Sequence, residues 1–246
     1  MKILAIDTAT ENCSAALLID GNVNARELET ERGHANRILS MIDELLSTAH
    51  LTLSDLDAIA FGRGPGSFTG VRLAATVTQG LAFGANLGVV PISDLQAVAQ
   101  RVFAIAMAEN QASSSSRVLV CNDARMSEVY WACFERGDDG LARLEGDEHV
   151  SKPTEVRLPP CWDTAIAAGR GFVAYSAALN AVLPEAPGAV PGLDPALTHL
   201  LPRATEIALL AVPAVASGQL LPAEAATPVY LRDNVTHVAA PAKPSK

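Results

Sequence analysis

Four glycines and a proline are concentrated between residues 62 and 70. This stretch follows an apolar run at 58–61 that is typical of a buried strand, and it precedes an apolar segment at 70–85 with helical spacing. Glycine and proline at this density favour a tight turn, since glycine adopts backbone conformations that other residues avoid. The chain therefore has to pass from strand to helix within a few residues, which indicates an α/β unit.

Two segments of the first half are predicted to be helices. In 34–49 the apolar residues recur at helical spacing, so this helix buries one face. The segment 70–85 has only a narrow polar stripe and has to be covered on more than one side. Its glycines, Gly80 and Gly84, each cost about 1 kcal/mol relative to alanine inside a helix. The pair therefore suggests close packing, either within the core or against a partner.

The same opening pattern occurs twice along the chain. Each half begins with two predicted strands, and the polar run 109–116 separates the halves. We expect an α/β protein of two lobes, 1–108 and 117–238, with a frayed tail at 239–246. A final helix at about 204–217 can pack back on the first lobe. The other elements are predicted as strands at 3–6, 14–19, 58–61, 88–92, 118–122, 128–134 and 164–168 and a helix at 94–108.

Composition limits the function classes. The chain has 246 residues, of which 49% are hydrophobic, and a formal net charge of −9. This is globular composition, and the negative charge without a basic cluster argues against a stand-alone nucleic-acid binder. An acid at position 7 interrupts the apolar N-terminus too early for a signal peptide, and no apolar run reaches the roughly 20 residues of a membrane helix. With four scattered cysteines, we expect a cytoplasmic protein without a membrane segment.

Two loops have the composition of phosphate-binding loops, and ordinary turns account for them equally well. The first follows the opening strand, where a carboxylate and two hydroxyls can approach a phosphate-bound metal or form local turn hydrogen bonds. The second precedes a helix N-terminus, which favours anions, but it lacks the lysine of a P-loop. The residues concerned are Asp7, Thr8 and Thr10 in the first loop and Gly64, Pro65, Gly66 and Gly70 in the second.

No catalytic or metal-binding constellation is recognised. The five histidines are scattered, and no two are four residues apart, the spacing that places both on one helical face as metal ligands. A G-x-S-x-G nucleophile motif is absent. Cys133 lies between two apolar residues, and Cys13 lies just before the apolar run that begins at Ala15, so both are more typical of small buried residues than of reactive thiolates. We therefore predict no catalytic residues and no metal ligands.

Several stretches carry a resemblance to a known family. The most specific is 64–72, with the sequence GPGSFTGVR, and Gly80 follows it. The others are 6–10 (IDTAT), 14–17 (SAAL) and 228–232 (PVYLR). Together they span the chain and resemble the TsaB family, also called YeaZ. The resemblance implies a protein of the bacterial machinery that installs threonylcarbamoyladenosine in tRNA beside the anticodon.

The resemblance also implies a fold and a limited chemistry. The fold is the two-lobed type of actin, sugar kinases and Hsp70, which agrees with the repeated opening pattern. The related subunit TsaD holds its metal with two histidines four apart, whereas here His34 is followed by Ile38 at that spacing. The chain is thus expected to be a non-catalytic subunit without a cofactor, and its phosphate-facing loops are remnants. Those remnants are Asp7, Thr8, Thr10, Gly169 and Gly171.

The partners implied by the resemblance are proteins. The family's docking surface is formed by the first two helices of the first lobe, and it serves either self-association or TsaD binding. TsaE joins the complex, and tRNA is met only through the complex. The isolated chain is expected to be a homodimer. The residues expected at the contact are Leu39, Ile42 and Leu46 in the first helix and Leu73, Val77, Gly80 and Leu81 in the second.

Two alternatives remain open on sequence alone. Other members of this fold are ATP-dependent phosphotransferases of small molecules, which predicts nucleotide binding that depends on Asp7 and Gly169. A metallopeptidase is the older interpretation of the family, and it predicts a bound metal. The missing histidine pair makes the metallopeptidase the poorer of the two alternatives.

Overall fold

Two mixed β-sheets form the framework of the protein. We analysed a computed structural model, which describes residues 1–30, 33–108, 116–182 and 195–232. The first sheet contains β1 (Lys2–Asp7), β2 (Asn12–Ile19), β3 (Asn22–Glu29), β4 (Ala58–Gly62) and β5 (Gly88–Ile92), and the second contains β6 (Arg117–Arg125), β7 (Glu128–Arg136), β8 (Ala142–Ser151) and β9 (Ile166–Ala168). The strand orders are β3-β2-β1-β4-β5 and β8-β7-β6-β9.

Each sheet combines a hairpin with parallel strands. In the first sheet β1 pairs antiparallel with β2 and parallel with β4. In the second sheet β6 pairs antiparallel with β7 and parallel with β9. The two lobes therefore begin in the same way, and the mixed two-lobed α/β fold expected from the repeated pattern is confirmed.

Helices cover both faces of the first sheet. The chain contains α1 (His34–Thr48), α2 (Phe68–Ala85), α3 (Asp94–Ala108), α4 (Gly171–Ala174), α5 (Ser176–Val182), α6 (Pro195–Thr198) and α7 (Ala204–Ala216). Leu4 and Ile6 of β1 pack with α1 and α2 on one face, while Ile3 and Ala5 pack with α3 and α7 on the other. Because side chains alternate along a strand, a strand covered on both faces is apolar along its buried length, as β1 is from Ile3 to Ile6.

The core continues from one sheet to the other through α3. This helix lies against α7 on one side and against the second sheet on the other, and its Leu95 and Phe103 belong to the same apolar cluster as Val118 and Phe134 of the second sheet. A separate cluster on the far face of the second sheet includes Phe172 of α4. The two sheets are thus joined by continuous apolar packing, which holds the groups between them in fixed positions.

Several predicted boundaries needed correction. Strand β8 was not predicted, and it lies at the edge of the second sheet with most of its side chains exposed. Helix α2 begins at Phe68, two residues before the predicted start. Part of the polar run at 109–115 and the tail 239–246 lie outside the described residues. We call residues 64–70, which connect β4 to α2, the glycine turn.

None of the helices in the described part of the chain is both long enough and apolar enough to cross a membrane.

The start of α7 is held by two buried hydrogen bonds from the first sheet. The Ala204 amide donates to Ser14 Oγ at 3.0 Å, and Asn12 Nδ2 donates to the Pro202 carbonyl at 3.0 Å. Both side chains belong to β2 and are buried. The segment that leads from the second lobe into α7 is therefore attached to β2.

We predict that Ser14→Ala loosens this attachment. A buried donor without a partner costs about 1–3 kcal/mol, so the free energy of unfolding should fall by that amount in urea titrations followed by circular dichroism. Ser47→Ala, at an exposed serine of α1, is the control and should change stability by less than about 0.5 kcal/mol. Equal effects of the two substitutions would show that the Ser14 hydroxyl does not hold α7.

Candidate functional site

The glycine turn is packed directly against the loop that follows β1. A Cβ atom added at Gly70 would lie 2.0 Å from the Thr8 carbonyl oxygen, and one added at Gly66 would lie 2.6 Å from the Ala9 carbonyl oxygen. Thr8 Oγ1 donates to the Gly70 carbonyl at 2.7 Å, and the Ser67 amide donates to the Ala9 carbonyl at 2.7 Å. These glycines are therefore required because two backbone segments meet without room for a side chain.

Three amides of the glycine turn, those of Gly64, Ser67 and Gly70, donate to acceptors within the protein. Gly64 N donates to Asp94 Oδ2 at 2.5 Å, and Gly70 N donates to Ser67 Oγ at 3.1 Å. Gly64 has a positive φ of 101° and precedes Pro65 through a cis peptide bond. A phosphate-binding turn needs several amides free to face a ligand. Here Pro65 has no N–H group, and three of the six amides donate to the protein itself, which favours the structural interpretation of the turn.

Two carboxyl groups meet beneath the glycine turn. Asp7, at the end of β1, and Asp94, at the start of α3, are both fully buried. Asp7 Oδ1 accepts from the Ala9 amide at 2.8 Å, and both carboxyls lie against the backbone of Gly62. Asp7 Oδ2 and Asp94 Oδ1 have no other donor among the described residues. A proton shared between the two carboxyls provides the donor that the site otherwise lacks.

Burial is the main cause of the protonation of this pair. It raises the pKa of Asp7 to about 6, partly offset by the hydrogen bond from the Ala9 amide. Burial, followed by the charge of Asp7, raises the pKa of Asp94 well above its ordinary value. Two adjacent carboxylates cannot both ionise cheaply away from water. The protonated Asp94 therefore donates to Asp7, and the pair joins β1, α3 and the glycine turn.

A cleft between the two lobes occupies about 370 Å³. Its two arginines are already paired with carboxylates. The Arg170 guanidinium contacts the Glu29 carboxylate and lies 3.5 Å from that of Glu11. The Arg125 guanidinium lies 3.6 Å from the Glu11 carboxylate and 3.3 Å from that of Asp123. The lining contains no lysine. A phosphate entering the cleft would meet carboxylates as well as guanidinium groups, which disfavours an anionic ligand. The residues that line it are Thr10, Glu11, Asn122, Asp123, Arg125, Arg170, Val173, Ala174, His199 and Leu201.

The structure separates the residues that the resemblance grouped as phosphate-facing remnants. Thr10 lines the cleft, whereas Asp7 and Thr8 are buried beneath the glycine turn. Gly169 and Gly171 are packed against the backbone of Cys121, where added Cβ atoms would lie 2.5 and 2.8 Å from its carbonyl oxygen. Neither glycine is among the residues lining the described cavities. The five residues therefore do not converge on one ligand position.

A set of metal ligands is also missing from the described part of the chain. No group of three or more His, Cys, Asp or Glu side chains there is arranged to hold an ion. The ring Nε2 of His34 lies 2.9 Å from the Thr10 carbonyl and is occupied by that hydrogen bond. The residues present do not fit the histidine-pair site that the resemblance ascribes to TsaD.

The outer surfaces of α1 and α2 expose apolar side chains and glycines. Leu39 is 52% exposed and Phe83 is 79% exposed. Gly80 and Gly84 are also exposed, and a Cβ atom added at either would meet nothing within 4 Å. We call these four residues the outer helix surface. Phe83 was not singled out from the sequence, although it follows Gly80 by three residues and so lies on the same side of the helix.

The other residues predicted at a partner contact are partly or wholly in the core. Ile42 and Leu46 are buried against the first sheet, so these two side chains belong to the chain's own core rather than to an exposed surface. Leu73, Val77 and Leu81 are half-buried. Of the seven residues, Leu39 and Gly80 are the exposed ones.

Comparison with known proteins identifies close relatives. A family profile described as "TsaD: tRNA N6-adenosine threonylcarbamoyltransferase" matches residues 28–240. The tRNA threonylcarbamoyladenosine biosynthesis protein TsaB of Escherichia coli is 40% identical, over 99% of this chain and all of that protein. The TsaB protein of Haemophilus influenzae is 40% identical, over 96% of this chain and 95% of that protein. YeaZ from Pseudomonas aeruginosa is a solved structure with 43% identity and a TM-score of 0.80, covering 94% of this chain and 99% of that one.

We predict that Asp94→Asn changes how stability depends on pH. The folded state keeps protons on the pair that the unfolded chain releases near pH 4, so stability falls as the pH rises from about 4 through the Asp7 pKa of about 6. An asparagine amide donates to Asp7 at every pH and still accepts from Gly64, so this decline should become shallower. Between pH 4 and pH 7, the free energy of unfolding of the variant should therefore fall by less than that of the wild type, by on the order of 2 kcal/mol.

Urea titrations at several pH values measure this effect. Asp147→Asn, at an exposed aspartate of β8, is the control and should leave the shape of the profile unchanged. Parallel profiles for wild type and Asp94→Asn would show that the two carboxyls do not share a proton.

Proposed function

The chain belongs to the TsaD-related family and, within it, to the TsaB group of tRNA threonylcarbamoyladenosine biosynthesis, and we propose that it serves there as a non-catalytic scaffold. It binds TsaD through the outer helix surface and, with TsaD, recruits TsaE. The threonylcarbamoyl transfer takes place on TsaD, in the cytoplasm. This chain supplies a docking surface and no reacting group.

The interior of the molecule supports a non-catalytic role. Asp7 is the carboxylate best placed by sequence to meet a phosphate-bound metal, and it is instead buried with Asp94. The arginines of the cleft are paired with carboxylates, and the described residues offer no grouping of metal ligands. Enzymes that transfer phosphoryl groups usually position a nucleophile and stabilise the phosphate charge with a metal ion or an unpaired cationic side chain. The observations give no support to the phosphotransferase alternative.

The observation that carries the docking proposal is the contrast between two kinds of glycine. Gly66 and Gly70 have no side chain because the chain's own backbone occupies the space. Gly80 and Gly84 face open space, so nothing within the described chain requires them. Each costs about 1 kcal/mol relative to alanine in a helix. A partner helix that approaches α2 closely would need both positions to lack a side chain.

Exposed apolar side chains beside these glycines provide the surface that a partner would bury. Leu39 and Phe83 project from neighbouring helices on the same face of the first sheet. Burying a side chain of this size contributes about 1.5–3 kcal/mol. In the absence of TsaD, a second copy of the chain covers the same surface, so the isolated protein is a homodimer. TsaD replaces that copy when the complex forms.

The charge of the chain supports indirect contact with tRNA. A net charge of −9 repels the phosphate backbone. In this proposal the other subunits hold the tRNA, and this chain meets it only through the complex.

The proposal is tested by reconstitution with TsaD and TsaE of the same organism. We expect the three proteins to co-purify, and we expect tRNA threonylcarbamoylation to collapse when this chain is omitted. The chain alone should not turn over ATP. An isolated chain that hydrolyses ATP and forms no complex would replace the scaffold by the phosphotransferase alternative.

We predict that Gly80→Glu weakens binding to TsaD without affecting folding. The position is open, so the variant should keep the circular dichroism and cooperative unfolding of the wild type while its affinity for TsaD falls at least about tenfold, because a charge would be buried at the contact. Ala104→Glu, which adds the same charge at an exposed position of α3, should bind TsaD normally. Affinities are measured by surface plasmon resonance.

Gly80→Ala provides a second readout on the same position. At a concentration where the isolated chain is monomeric, it should raise the free energy of unfolding by about 0.5–1 kcal/mol, since alanine is the better helix former and meets no neighbour within the chain. A destabilised Gly80→Ala protein, or a Gly80→Glu protein that binds TsaD as the wild type does, would contradict the assignment of Gly80 to the docking surface.

A further inference from the structure

A second cavity, separate from the outer helix surface, opens beside the glycine turn and has a volume of about 540 Å³. Its walls are the loop after β1, the first turns of α2, the loop between β6 and β7, and the segment 228–232. It adjoins the cleft between the lobes and shares Thr10, Glu11, Asn122, Asp123 and Arg125 with it. We call it the aromatic pocket. Its lining includes Phe68, Arg72, Asn122, Arg125, Met126 and Tyr230.

One wall of the aromatic pocket is a stack of two rings and a guanidinium group. The Arg72 Cζ atom lies 3.1 Å from the centroid of the Phe68 ring and 4.8 Å from that of the Tyr230 ring. The two ring centroids are 6.3 Å apart. Such cation–π contacts hold the plane of the guanidinium group in a fixed orientation.

Arg72 differs from the other arginines of the pocket in its charge balance. Arg232 pairs with Glu128, and Arg125 pairs with Glu11 and Asp123. No carboxylate is paired with Arg72 among the described residues, where its hydrogen bond goes to the Phe68 carbonyl at 3.3 Å. The pocket therefore carries one positive charge without a counter-charge, on the group best shaped to bind a carboxylate in two-point fashion.

The surroundings of Arg72 are apolar and exposed. Phe68 is 62% exposed, Met126 is 58% exposed and Tyr230 is 46% exposed. Exposed apolar side chains grouped around a cavity are typical of interaction sites. The pocket thus offers a planar cation and an apolar surface.

We propose that the aromatic pocket binds an acidic peptide segment of a partner protein, one in which a carboxylate side chain adjoins an aromatic residue. The carboxylate pairs with Arg72, and the aromatic side chain packs on Phe68, Met126 and Tyr230. This combination matches both the single unpaired charge and the apolar wall. A free inorganic anion would leave the apolar wall unused.

The charge balance favours a peptide over a nucleic acid. Binding single-stranded RNA requires several cations along the phosphate backbone in addition to stacking rings. The pocket has one unpaired cation, and Glu11, Asp123 and Glu128 lie at or near its edge. The proposal does not depend on the outer helix surface, since none of the four residues of that surface lines the pocket.

The probes for the test are capped dipeptides, and the readout is the NMR spectrum of the full chain. N-acetyl-aspartyl-phenylalaninamide should shift signals of the pocket residues and should bind about tenfold more tightly than its asparaginyl and its alaninamide counterparts, which lack the charge and the ring respectively. Arg72→Gln should weaken binding of the aspartyl probe about tenfold, and Arg72→Lys should restore only part of the loss. Arg143→Gln, at an exposed arginine of β8, is the control and should leave binding unchanged.

Three outcomes would overturn the proposal. Equal binding of the aspartyl and asparaginyl probes would remove the role of the charge. Displacement of the probe by a short oligouridylate would identify the pocket as an RNA site. Binding by a chain that ends at Arg232, with none by the full chain, would assign the pocket to residues 233–246 of the protein itself. None of these outcomes bears on TsaD binding to Gly80→Glu, so failure here is distinguishable from failure of the proposed function.

Discussion

The contact between the glycine turn and the loop after β1 determines what the rest of the molecule can do. Gly70 leaves no room for a side chain against the Thr8 carbonyl, and the Asp7 carboxyl below is held by Asp94. The end of β1 is where a fold of this kind can expose a carboxylate and backbone amides to a phosphate. Here the Asp7 carboxyl and three amides of the turn are used in internal hydrogen bonds, and the Thr8 hydroxyl bonds to Gly70. These bonds join β1, α2 and α3.

In the function that we propose, the surface is the functional part of the chain. The buried glycines of the turn are explained by their own backbone neighbours, whereas Gly80 and Gly84 are explained by nothing within the described chain. Two sites with different chemistry follow from this. The outer helix surface combines exposed apolar side chains with two glycines, which suits another helix. The aromatic pocket has a planar cation between rings, which suits a single acidic segment. Phe68 and Phe83 stand at opposite ends of α2, so one helix can present both sites.

The sequence predicted the parts of the fold that repeat a pattern over many residues. Helices α1 and α3 were placed correctly because their apolar residues recur over several turns. Strand β8 was missed because it lies at an edge and is largely exposed, so it has no apolar alternation. The pairing of Asp7 with Asp94 was out of reach, because the two residues are far apart in sequence and meet only through the folded sheet. Likewise, the sequence of α2 is apolar nearly all round, so it does not reveal that the Phe83 side chain is the one exposed to solvent.

The central claim is that this chain acts by docking through α1 and α2 and not by chemistry in the cleft. Hydrogen exchange followed by mass spectrometry tests it most directly, on the full chain at a concentration where it is monomeric, with and without TsaD and with and without ATP. The account predicts that TsaD slows exchange in peptides covering α1 and α2, and that ATP alone changes nothing around Thr10 and Arg170. Protection of the cleft by ATP alone, with α1 and α2 unaffected by TsaD, would contradict it.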